Sequence, residues 1–66
     1  KMNYDRMAQE YLEEVGRLNR RLDQLRKEAR LRRESDLWQR VGQLMEIRDD
    51  LRVTAHVLQR RAARLP

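Results

Sequence analysis

Leu31-Arg32-Arg33-Glu34-Ser35-Asp36-Leu37 is the stretch on which the reading of this chain turns, because the apolar pattern loses its phase there. Before it, Ala8, Tyr11, Val15, Leu18, Leu22, Leu25 and Ala29 recur at alternating spacings of three and four. After it, Leu37, Val41, Leu44, Leu51, Ala55, Leu58, Ala62 and Leu65 do the same. On one unbroken helix Leu37 would fall on the far side from the first stripe. Two helices joined by a turn bring the stripes face to face. The sequence therefore predicts an all-α fold: an antiparallel, coiled-coil-like two-helix hairpin filling residues 1–66 as one domain. The expected helices cover about 4–31 and 37–64, with the turn at about 32–36. One continuous helix in an intermolecular coiled coil is the alternative.

Working outward, Asn3 is the expected cap of the first helix and Asp5 complements the positive end of its dipole. Only Gly16 opposes helix up to Arg30, and Arg26, Lys27 and Arg30 suit the carbonyl end. Asp36 with Gln39 three residues on reads as a capping-box variant for the second helix, with Ser35 as the other candidate cap. Pro66 marks its stop. Met2 reads as a native start, which makes Lys1 an added residue.

Antiparallel pairing sets Ala29 beside Leu37, Leu25 beside Val41, Leu22 beside Leu44 and Leu18 beside Arg48. Val15/Leu51, Tyr11/Ala55, Ala8/Leu58 and Tyr4/Ala62 continue the series. Large side chains meet small ones in the half away from the turn, as interdigitated packing requires. Charge agrees. Residues 1–16 carry −2, 17–33 carry +6, 34–50 carry −3 and 51–66 carry +4. Folding back sets unlike quarters together, which selects orientation more than it adds stability. Arg48 is the polar intruder. Its stem can lie along the seam while the guanidinium reaches water or Glu14, or it can fix register as buried polar groups do in coiled coils.

The 66 residues carry a net charge of +5, with 41 % charged, 39 % hydrophobic and no Cys. So short a chain, with no disulfide or Cys/His metal cluster, makes self-association the natural route to stability. No apolar run reaches the roughly 20 residues of a membrane span. No membrane association is expected, and a cytoplasmic location is the default expectation.

Beside the seam, Trp38, Gly42 and Met45 fall at i, i+4, i+7 on the second helix. Leu12, Gly16 and Asn19 have the same spacing on the first. Both triplets share one flank of the hairpin. A mid-helix Gly costs about 0.5–1 kcal/mol against Ala, so two of them beside a large exposed Trp suggest that another helix approaches closely. The simplest partner is a second copy, giving a homodimeric four-helix bundle. The other reading is two tolerated glycines and a Trp closing the core beside Arg26. The opposite flank, with Met7, Ile47, Thr54 and Val57, is thinner and reads as solvated.

Arg26, Lys27, Arg30, Arg32 and Arg33 are the candidate phosphate contacts of a rival, nucleic-acid-binding reading that uses the tip and the C-terminus. These cations wrap around the helix, and no stacking aromatics or base-reading motif accompany them. Catalysis finds no footing. His56 is the only His and lies on the outer face, Glu13-Glu14 and Asp49-Asp50 diverge around their helices, and no phosphate-binding loop occurs. The expectation is a non-enzymatic interaction and oligomerisation protein, with no catalytic residue, cofactor or metal, and with room for a further protein partner.

The second half, Asp36 to Arg61 (DLWQRVGQLMEIRDDLRVTAHVLQRR), resembles small helical proteins encoded in bacterial mobile elements. Their second segment is an apolar, Arg-rich stretch ending in a His-Thr-Ala-like tripeptide before a Leu and basic residues. Here the tripeptide is Thr54-Ala55-His56, in a different order. The resemblance implies a bacterial helical hairpin and no site residues.

Overall fold

Asn3 starts the first helix as its residue type suggests: its Oδ1 accepts the Arg6 backbone N–H at 3.0 Å. In the computed structural model, which describes residues 3–65, helix α1 (Tyr4–Arg32) and helix α2 (Ser35–Arg64) pack against each other along their lengths. There is no strand among the described residues. The molecule is a rod, with Cα extents of 53 × 14 × 14 Å. Lys1, Met2 and Pro66 lie outside the described residues, and with them the expected start and the expected helix stop.

Only Arg33 and Glu34 separate the helices, so the turn is tighter than the 32–36 expected. Arg33 makes the reversal by adopting a left-handed conformation, φ 52° and ψ 38°, and its N–H donates to the Ala29 carbonyl at 2.9 Å. That bond satisfies one of the carbonyls a helix end leaves free. The expected capping box is not formed. Ser35 and Asp36 already lie inside α2, Glu34 takes the cap position, and its side chain makes no capping bond. Asp36 instead places a carboxylate in the first turn, where it meets the positive end of the dipole.

Two clusters make up the core. Near the turn, Leu22, Leu25 and Val41 are buried, with Leu37, Leu44 and Met45 packed on them. At the other end Ala8, Ala55 and Leu58 are buried beneath Tyr4, Met7, Tyr11 and Leu12. Ala29 and Val15 complete the buried stripe of α1. Ala8 and Ala55, almost fully buried, thus lie in one cluster with the larger Leu58 and Tyr11. Leu22 and Leu25 are the largest fully buried side chains.

Candidate docking surfaces

Between the two clusters the seam turns polar. Arg48 lies with its side chain only 16 % exposed, and its Nη1 donates to Asn19 Oδ1 on α1 at 3.3 Å. Its Nε and Nη2 both reach Asp49 Oδ1 at 3.0 Å. The expected reach to Glu14 does not occur. Glu14 is held by Arg17, one turn along its own helix, at 2.7 Å. The stem of Arg48 does follow the seam, and its head exits on the Asn19 side.

That exit leads onto the flank of the expected dimer face. Leu12 and Met45 are half-buried and packed on the two core clusters, so each already serves the hairpin. Asn19 is half-buried and taken by Arg48. Trp38, by contrast, stays 44 % exposed. A Cβ built on Gly42 would meet nothing within 4 Å, and one on Gly16 would meet only the Arg20 guanidinium at 3.7 Å, an ordinary contact. Nothing within a single hairpin requires glycine at either position.

The opposite flank holds more than the sequence reading allowed. Ile47 is 49 % exposed and borders a depression of about 310 Å³ shared with Arg21, Leu25, Arg40 and Leu44. Arg21 and Arg40 fence it from both helices.

At the tip, Lys27, Arg30, Arg32 and Arg33 are exposed, and none of them forms an ion pair with a described residue. Arg26 is half-buried and sits 3.7 Å from Asp23. Leu31 projects between these cations, 84 % exposed.

A third surface is not assembled by the sequence reading, which places His56 on the outer face and Val57 on the opposite flank. Arg52, Val53, His56, Val57 and Arg60 line a depression of about 330 Å³ on the outer side of α2. Val53 lies on neither flank of the seam, which is why a search for stripes beside the core passes over it. The visible signal is Arg52, Arg60 and Arg64, with His56 completing a row at every fourth position, and no acid after Asp50.

Among the described residues no group of three His, Asp or Glu side chains is gathered closely enough to hold a metal ion, and no helix is long and apolar enough to cross a membrane. No protein-family model, curated protein or solved structure matches this chain.

Proposed function

We propose that the chain is a non-enzymatic helical interaction protein whose hairpins pair through the Trp38 flank into a four-helix bundle. The observation that carries this reading is the pair Trp38 and Gly42. A large aromatic is left 44 % exposed one turn from a glycine whose missing side chain faces open space. A mid-helix glycine costs helix stability, and close approach of a second helix backbone accounts for it. Leu12 and Met45, half-buried at the edge of the core, extend the same surface as an apolar floor.

Sedimentation over a range of concentrations tests this. The parent chain is expected to be dimeric, and Gly42→Glu to be monomeric with Trp38 emission shifted to the red, because the carboxylate is forced against a helix backbone. Ala63→Glu, on the exposed side of α2, is the control that keeps the parental mass. A parent that is monomeric throughout, or a Gly42→Glu variant that sediments as the parent does, removes this flank from consideration.

A second reading draws on the tip. Lys27, Arg30, Arg32 and Arg33 present four exposed cations without a partner among the described residues, a surface that suits phosphate. With no stacking or base-reading group beside them, the expected binding to duplex DNA is unspecific and of micromolar affinity or weaker. It is also expected to fall steeply with salt. Sequence-selective nanomolar binding that persists at high salt would place this reading first.

A further inference from the structure

The second half of α2 carries an outer face that the hairpin does not use. Residues four apart on an α-helix form a straight ridge, and here Arg52, His56, Arg60 and Arg64 occupy one. Val53 and Val57 form the adjacent row, 63 % and 43 % exposed, and the two rows share the depression described above. Counter-charge is nearly missing. Arg52 reaches Asp49 only at 4.0 Å, and Arg60 forms no ion pair with a described residue.

We infer that this face docks an acidic amphipathic helix of another protein. Carboxylates at every fourth position of that helix meet Arg52 and Arg60, and an aliphatic row beside them covers Val53 and Val57. Both rows have to be matched, and that selects among occupants. The acidic part of this chain's own α1 exposes Asp5, Arg6, Gln9, Glu10 and Glu13, with no aliphatic side chain among them, so a second copy matches the ridge but not the valines. A nucleic-acid backbone neutralises the ridge and likewise leaves the valines uncovered. This inference names the partner of the interaction protein proposed above; its residues lie farther along α2 than Trp38, Gly42 and Met45, although Arg52 and His56 share their side of the helix.

The test is a dye-labelled peptide designed as an amphipathic helix, with Glu at every fourth position beside a row of Leu, titrated with the whole chain and followed by fluorescence anisotropy. Expected is a Kd on the order of micromolar, lost when Gln replaces Glu in the peptide. Arg60→Glu is expected to weaken binding about tenfold or more, and Val57→Ser several-fold, with circular dichroism unchanged because both positions are exposed. The dimer-splitting variant Gly42→Glu is expected to bind the peptide as the parent does, so a failure of the dimer reading stays separate from a failure here. Equal binding of the Gln peptide, no effect of Arg60→Glu, tighter binding of duplex DNA than of the peptide, or loss of binding in Gly42→Glu would each overturn the inference.

Discussion

Arg48 and Asn19 join the two helices halfway along the seam by a side-chain hydrogen bond of 3.3 Å, the one such polar link between the helices among the described residues. A hydrogen bond to a charged group contributes about 1.5–3 kcal/mol at good geometry and less at this length, while desolvation of the largely buried Arg48 side chain opposes it. Arg48→Leu, which sets a Leu beside Leu18, is therefore expected to leave stability equal or raised in a urea titration. Asn19→Ala, which strips Nη1 of its acceptor and leaves the guanidinium only Asp49, is expected to lower it by about 1–3 kcal/mol. A stability loss in Arg48→Leu as large as in Asn19→Ala would show that the pair is a net stabilising contact.

Leu22 and Leu25 are the two large side chains with almost no exposure. Leu22→Ala and Leu25→Ala are each expected to cost about 2–5 kcal/mol, enough to unfold a hairpin of this size at ordinary temperature. Thermal melts followed by circular dichroism read this directly. Leu31→Ala, at a position 84 % exposed, is expected to melt with the parent.

The turn offers a gain. Arg33 holds a left-handed backbone that glycine adopts without steric cost. Arg33→Gly is expected to raise the melting midpoint, with a stabilisation of about 0.5–1 kcal/mol from the relieved strain. A lowered midpoint would mean that the Arg33 side chain contributes more at the tip than its exposure suggests.

At the other end, Asn3→Ala removes the acceptor of the Arg6 N–H. The expected loss is about 1 kcal/mol, and amide exchange should rise in the first turn of α1 and nowhere near the tip. Uniform loss of protection would instead mark the cap as part of the global unfolding unit.

What the sequence made legible was periodicity. The two apolar stripes, their loss of phase at Leu31–Leu37 and the fit of Ala8 and Ala55 between larger partners follow from residue spacing, and they define the hairpin. The turn was less legible because its reversal rests on a backbone conformation at Arg33, a residue type that carries no signal for it. The second cap was misread for a related reason. Ser35 and Asp36 have good capping side chains, but the tight reversal starts α2 at Ser35 and leaves Glu34 in the cap position. The partner of Arg48 depended on competition that spacing cannot rank, since Glu14 had a nearer cation in Arg17. Val53 was invisible because an apolar residue on an outer face belongs to no core stripe.

The rod has a single file of packed layers, and its two helices reverse over only two residues. Pairing Ala29 with Leu37 closes a loop of a few residues, whereas pairing Tyr4 with Ala62 closes nearly the whole chain. Loop-closure entropy grows with length, so the layers nearest Arg33 and Glu34 form first and each one shortens the closure needed for the next. Assembly is then a zip that starts at the tip, and thermal fraying runs the other way. Trp38 and Gly42 belong to the part that orders early. Arg52, His56 and Arg60 ride on the part that opens first, so whatever binds them also holds the zip closed.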